Sequence, residues 1–243
     1  MNLRILPNGE AVAQEAARFI VERIKEVLGQ RDRFAICLSG GSTPKRLHQL
    51  LASAPLVEQV DWSKIHVFWG DERYVPLEDE RNNARMAYDT LLNHVAIPED
   101  QIHIMRTDFS DPSESAAHYE RILHQYFDGK THSFDLLILG MGDDAHTLSL
   151  FPHTEAIDET RKWCSAFFLE KQDMFRVTIT RPVANASACI LFLTTGEGKA
   201  KALASVLEGP IDIHEYPSQS IQSTSGETIW MVDEAAAGLL RNR

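Results

Sequence analysis

Apolar and amphipathic segments alternate along most of this 243-residue chain. Apolar side chains recur at a spacing of three to four within residues 10–28, which predicts a helix with one buried face. Further helices are predicted from Pro44 onward and over residues 82–94, 112–127 and 197–207. Four short, largely apolar runs predict buried strands: Phe34–Leu38, Ile65–Trp69, Phe134–Leu139 and Ala188–Thr194.

Weaker patterns fill the rest of the chain. They predict strands at Ile102–Met105, at Arg176–Thr180 (alternating, hence partly exposed) and at Thr228–Val232, a surface loop over Ile211–Ser225, and a closing helix over Asp233–Leu240. Strands separated by helices imply right-handed βαβ units. We therefore expect one α/β domain over residues 1–243. Its open, mainly parallel Rossmann-like sheet should have helices on both faces and a small β excursion around residues 160–180.

Composition narrows the possible partners. The formal net charge of -11 argues against nucleic acid and anionic membranes, because an excess of Lys and Arg drives binding to both. No run approaches the roughly 20 apolar residues of a membrane span, and the first residues lack the apolar core of a signal peptide. Three scattered cysteines have neither disulfide-framework nor metal-type spacing: Cys37, Cys164 and Cys189. We expect a cytoplasmic protein with reduced, buried thiols.

Three glycine-containing turns follow apolar strands, and the first suits a phosphate. In Leu38–Pro44, Gly40 and Gly41 allow the backbone to approach a ligand, and the next helix offers free N–H groups. Hydroxyl donors come from Ser39, Ser42 and Thr43, the last also a plausible helix cap. The Gly-Lys-Ser/Thr ending of a nucleotide P-loop is absent. An ordinary tight turn with a capping hydroxyl is the alternative.

The second turn, Gly70-Asp71-Glu72-Arg73, also follows a buried strand. In a parallel sheet it should lie beside the first turn, where Arg73 could bind a phosphate or carboxylate oxygen through two hydrogen bonds. A surface cluster of salt bridges is the alternative.

The third turn, Gly140–Thr147, contains a histidine close to two carboxylates. One of Asp143 and Asp144 could accept a hydrogen bond from the imidazole of His146, which would leave the ring as a base toward water or a substrate proton. A purely structural histidine is the alternative. A metal site is less favoured, since the paired-histidine spacing of zinc hydrolases is missing.

Two cations could complete an anion site. Arg176 heads a strand, and Lys199 follows a strand and begins a helix. Each could equally be a solvated surface charge.

Taken together, these blocks resemble the 6-phosphogluconolactonase family, related to the amino-sugar-phosphate isomerases and deaminases. The resemblance rests on Ser39–Pro44, Gly70–Arg73, Gly140–Pro152, Arg176–Thr178, Gly196–Ala200 and Tyr216–Gln219, and it runs from about residue 10 to the C-terminus. It implies hydrolysis of 6-phosphoglucono-1,5-lactone to 6-phosphogluconate in the oxidative pentose phosphate pathway, without metal or other cofactor. The partner would be a small phosphorylated sugar lactone, and the protein a monomer or weak homodimer.

The resemblance also assigns roles. His146 would activate water, oriented by Asp143 or Asp144, and Arg73 would help to neutralise charge on the carbonyl oxygen. Asp71 would line the pocket. The 6-phosphate would be held by the Gly40–Thr43 loop with Arg176 and Lys199.

The chain departs from the family pattern at Ala145, where glycine is usual, and at Leu148, where a small residue is commoner. A positive φ at Ala145 would cost of order 1 kcal/mol, whereas Leu148 is interpreted as a packing variation. An amino-sugar-phosphate deaminase or isomerase is the nearest alternative function. A non-catalytic sugar-phosphate-sensing domain is the other.

Overall fold

The structure, a computed structural model, describes residues 2–242. Its strands are β1 (Asn2–Leu6), β2 (Phe34–Leu38), β3 (Ile65–Trp69), β4 (Asp71–Arg73), β5 (Ile102–His103), β6 (Leu136–Leu139), β7 (Cys164–Leu169), β8 (Met174–Ile179), β9 (Cys189–Thr194) and β10 (Glu227–Asp233). Its α-helices are α1 (Gly9–Leu28), α2 (Ser42–Leu51), α3 (Asn83–Thr90), α4 (Pro112–Phe127), α5 (Arg181–Asn185) and α6 (Ala200–Glu208).

Seven strands form an all-parallel sheet in the order β1-β10-β9-β6-β2-β3-β5. Every residue of the central strands β9, β6 and β2 is buried, because helices cover the sheet. Strands buried on both faces need apolar side chains at every position, which is why these runs were recognisable from the sequence. The predicted mainly parallel α/β fold is confirmed.

A second sheet of three antiparallel strands, in the order β4-β8-β7, confirms the predicted β excursion. The expectation that Arg176–Thr180 would be partly exposed is wrong, since these residues are buried. The reason is that β8 is the middle strand of its sheet. The sheet also packs against α4.

Other differences concern segments whose structure depends on distant partners. β1 was not expected and forms by pairing with β10, so that Asn2 lies beside Ile229. β4 lies in a segment for which the sequence predicts only a turn. The predicted strand Ile102–Met105 is limited to β5, and the closing helix is a single 3-10 segment, Ala236–Leu239.

Helix boundaries follow local chemistry more closely. α4 has its predicted bounds, because Asp111 caps its N terminus and Pro112 occupies the first turn. The predicted helix over 82–94 ends at Thr90 and is followed by one 3-10 turn, Leu92–His94. The prediction of Thr43 as a cap is wrong, since α2 begins at Ser42 with Gly41 before it.

The three cysteines are buried and unpaired, as expected. Within residues 2–242 no helix is long and apolar enough to cross a membrane.

Candidate active site

The three predicted turns converge at one edge of the parallel sheet. The turns after β2, β3 and β6 enclose a cavity of about 250 Å³, as expected where parallel strands end together. It is lined by Ser39, Gly40, Gly41, Asp71, Arg73, Asn83, Gly140, Met141, Gly142, His146, Thr147, Leu148, Arg176 and Lys199. Eight of the twelve predicted site residues are in this set; Ser42, Thr43, Asp143 and Asp144 are not.

His146 is held in a defined orientation at the cavity. Its Nδ1 lies 2.5 Å from Oδ1 of Asp144, and its ring stacks on Phe151 with centroids 4.0 Å apart. Gly142 approaches the same edge of the ring so closely that a β-carbon there would lie 2.1 Å from Nδ1. Contacts on these sides leave the imidazole few alternative positions.

Asp144, rather than Asp143, is the carboxylate paired with the histidine. Partial burial would raise the pKa of Asp144, but hydrogen bonds from His146 and Lys171 lower it well below its usual range. The Lys171 Nζ is 3.1 Å from its Oδ2. An ionised carboxylate can only accept hydrogen bonds, so the hydrogen shared with Asp144 belongs to Nδ1. In the neutral imidazole the lone pair is then on Nε2. Asp143 is exposed and lines a neighbouring cleft.

The backbone beside His146 is left-handed. Ala145 has a φ of 63° and Leu148 a φ of 54°. The positive φ that the usual glycine would favour is therefore present at Ala145. Leu148, interpreted as a packing variation, adopts the same conformation and is buried with its side chain against Gly70.

Arg176 and Asp71 form a buried ion pair at the cavity. Arg176 Nη2 donates to Asp71 Oδ2 at 2.9 Å, and its Nε donates to Ser149 Oγ at 3.0 Å. Ser149 in turn donates to the same carboxylate at 2.7 Å, and Gln172 accepts from Nη1. Burial opposes ionisation of Asp71, but the charges of Arg176 and Arg73 lower its pKa. Asp71 is thus an ionised carboxylate already occupied by protein donors.

Glu72 has a structural role at the same edge. It is fully buried and accepts hydrogen bonds from the backbone N–H groups of Arg73, Asn83 and Ala84. Burial raises its pKa to about 8, against the opposing effect of these donors. Its contacts fix the start of α3. Asn83 there donates from Nδ2 to the carbonyl of Asp71 and places its Oδ1 against Gly40.

The phosphate-type loop opens α2 without a capping side chain. Gly41 has a φ of 109°, which favours glycine, and within residues 2–242 no side chain caps the N terminus of the helix through a hydrogen bond. The first N–H groups of α2 therefore remain available to an anion. Lys199 lines the same cavity and has no ion pair among the described residues. Thr43 instead shares a hydrogen bond with Thr195.

Arg73 lines the cavity from β4. Its Nη1 donates to the carbonyl of Arg81 at 2.9 Å, which directs the guanidinium along the turn. One N–H donor of the Arg73 guanidinium is thus used to hold the side chain in place.

Sequence reasoning missed several residues of this site. Asn83 gave no chemical signal, since its position depends on the distant Glu72. Ser149 and Leu148 belonged to a recognised block but received no site role. Lys171 reaches Asp144 from the turn between β7 and β8, a contact that local spacing does not reveal.

Residues 2–242 contain no group of three or more His, Cys, Asp or Glu side chains placed to hold a metal ion.

The chain is similar to known proteins over nearly its whole length. Residues 7–230 match the family described as glucosamine-6-phosphate isomerases/6-phosphogluconolactonase. The 6-phosphogluconolactonase of Nostoc sp. is 39% identical over 241 residues, covering 98% of each chain. A solved 6-phosphogluconolactonase from Thermotoga maritima is 27% identical, with a TM-score of 0.82 over 96% of this chain and 99% of that one. A monomeric glucosamine-6-phosphate deaminase, 21% identical, shares the fold with a TM-score of 0.85 over 98% and 100% of the two chains.

Proposed function

Because the chain belongs to the family of glucosamine-6-phosphate isomerases and 6-phosphogluconolactonases, we propose that it hydrolyses 6-phosphoglucono-1,5-lactone to 6-phosphogluconate in the pentose phosphate pathway. The observation that carries this proposal is the Asp144–His146 pair beside a cavity that also contains a phosphate-type loop. The proposal treats residues 1–243 as one catalytic domain. This assignment of a single domain is supported by the family match over residues 7–230.

His146 acts as the general base. Asp144 holds the proton of Nδ1, and Nε2 removes a proton from a water molecule as that water attacks the lactone carbonyl. The charge that develops on the carbonyl oxygen is stabilised by Arg73. When the bond from the carbonyl carbon to the ring oxygen breaks, the imidazolium returns its proton to the leaving oxygen. One water is consumed and the open-chain acid is formed.

The 6-phosphate binds at the loop after β2. Support comes from the uncapped N terminus of α2, the backbone of Ser39–Gly41 and the ammonium of Lys199. Ser42 and Thr43 would contribute backbone N–H groups. Arg176 adds its charge from a buried position, since each of its nitrogens already donates to a protein group.

The contacts of Asp71 weigh against a deaminase or isomerase. Such reactions move a proton between adjacent carbon atoms and need a carboxylate or similar base next to the sugar. Asp71 accepts from both Arg176 and Ser149, and its lowered pKa makes it a weak base. The base that this cavity offers is His146.

The test is a coupled assay on freshly prepared lactone, corrected for spontaneous opening. The protein should accelerate hydrolysis, and His146→Ala should lower kcat by about 10²–10⁴-fold, the usual contribution of a general base. His153→Ala is the matched control, because His153 also pairs with a carboxylate, Glu215, but lies outside the cavity. EDTA should leave the rate unchanged.

Other outcomes identify the alternatives. Ammonia release from glucosamine 6-phosphate would indicate a deaminase. Tight binding of 6-phosphogluconate without acceleration of lactone opening, unchanged in His146→Ala, would indicate a sensing domain.

A further inference from the structure

The left-handed residue next to the proposed base is restrained by a distant segment. The carbonyl oxygen of Ala145 accepts two hydrogen bonds from Ser218, one from its backbone N–H at 3.0 Å and one from its Oγ at 2.7 Å. For alanine, a φ of 63° costs of order 1 kcal/mol relative to ordinary backbone conformations. Such strain persists only where surrounding contacts hold it.

Ser218 is built into this position. It is 1% exposed and lies in the 3-10 turn Pro217–Ser220, within the loop predicted as Ile211–Ser225. The loop was expected at the surface, but its Pro217 and Ser218 are buried, and Ser218 contacts the histidine turn. Ser218 does not line the cavity, so it does not contact a substrate held there.

The rest of the histidine turn transmits the restraint to the imidazole. Gly142 donates its N–H to the carbonyl of His146 at 2.8 Å, and Ala145 donates to the carbonyl of Gly142 at 3.2 Å. The peptide between Ala145 and His146 therefore has its oxygen held by Ser218 while the histidine carbonyl is held by Gly142. Rotation of that peptide would move the imidazole away from Asp144.

We propose that Ser218 is a positioning residue that holds the Ala145 carbonyl and thereby keeps His146 aligned with Asp144. The expected loss of kcat rests on the proposed function, whereas the restraint on the Ala145 carbonyl does not. The restraint matters more with alanine at position 145 than with glycine, because glycine adopts a positive φ at little cost. Ser218 thus compensates for the departure of this chain from the usual glycine.

A double-mutant cycle tests the proposal. Ser218→Ala should lower kcat about tenfold and change KM less than about twofold, since a small misplacement of a reacting group is costly while the phosphate contacts remain. In the Ala145→Gly background the same substitution should lower kcat about threefold or less. Ser220→Ala is the control, because Ser220 Oγ donates to Pro217 within the same turn and does not contact Ala145.

A readout without turnover separates this proposal from the proposed function. The hydrogen-bonded Nδ1 proton of His146 should give a downfield NMR signal in the parent and in Ala145→Gly, and a weakened one in Ser218→Ala. Equal losses of kcat in both backgrounds, or an unchanged Nδ1 signal in Ser218→Ala, would overturn the positioning role. Absence of lactonase activity in the parent would refute the proposed function and leave the NMR test standing.

Discussion

At the residue scale, the proposed base is placed mainly by the backbone close to it. Asp144 and His146 are two positions apart, so their hydrogen bond depends on the conformation of a single turn. That turn requires glycine at position 142, where a β-carbon would lie 2.1 Å from the His146 Nδ1 and 2.5 Å from the Asp144 Oδ1. Real side chains do not tolerate such distances, so the ring would have to move.

Gly142→Ala should therefore lower kcat by about 100-fold, because the displaced imidazole loses Asp144 and its approach to water. KM should change little, since the phosphate loop is on another strand. Steady-state kinetics measure both. Gly198→Ala is the matched control, as a β-carbon there meets no atom within 4 Å. Retention of parental kcat in Gly142→Ala would contradict the placement of the ring.

At the element scale, α2 and α3 both begin at the cavity and are joined by a buried histidine. His48 of α2 lies 3.2 Å through Nδ1 from the Thr90 hydroxyl of α3, while its Nε2 is buried without a hydrogen-bond partner among the described residues. Burial lowers the pKa of His48 to about 4. The neutral imidazole is therefore part of the folded structure, and protonating it opposes folding.

Stability should consequently fall as the pH drops from about 6.5 to 4. In that window the unfolded chain binds a proton at His48 and the folded chain does not, so the free energy of unfolding decreases with acidification, by about 3 kcal/mol for this group. His48→Gln should lose correspondingly less stability, measured by urea unfolding at pH 7 and pH 4. The exposed His94→Gln is the control. Parallel losses in His48→Gln and the parent would refute the assignment.

Among the helices and strands, the sequence predicts those whose formation depends on local patterns. The central strands and α4 were predicted because burial on both faces and a proline at the start of a helix leave local patterns. β4 was missed because Asp71–Arg73 becomes a strand only by pairing with residues more than a hundred positions later. Likewise a hydrogen bond between His146 and either Asp143 or Asp144 is local and was predicted, although only the structure identifies Asp144 as the partner. The contact of Ser218 with Ala145 joins distant segments and leaves no local pattern.

At the scale of the whole molecule, the small sheet supplies charge to a site whose turns belong mostly to the large one. Asp71 and Arg176 lie on β4 and β8, and Ser149 joins them from the segment after β6. Removing one partner of a buried ion pair leaves an uncompensated charge. Lys199, by contrast, has no ion pair among the residues described.

Arg176→Met should therefore mainly affect stability, whereas Lys199→Met should mainly affect substrate binding. The first should lower the free energy of unfolding by about 3–5 kcal/mol, because the Asp71 carboxylate stays buried without its cationic partner. The second should raise KM about 10- to 100-fold, the value of a charged hydrogen bond to phosphate, and leave stability nearly unchanged. Denaturant unfolding and steady-state kinetics measure these effects. Recovery of stability in Asp71→Asn/Arg176→Met would support the ion-pair explanation, and a stable single Arg176 variant would contradict it.

The pairing of β1 with β10 has a consequence for how the chain assembles. Asn2 lies beside Ile229, so the first strand finds its neighbour only after nearly all of the remaining strands exist. Closing so long a loop is entropically costly, and contacts of such high sequence separation slow folding. Strands β2, β3, β6 and β9, whose turns contribute most of the site, can associate before β1 docks. A newly synthesised chain would thus carry a nearly complete site with β10 still an open edge, the stage at which it is most exposed to aggregation.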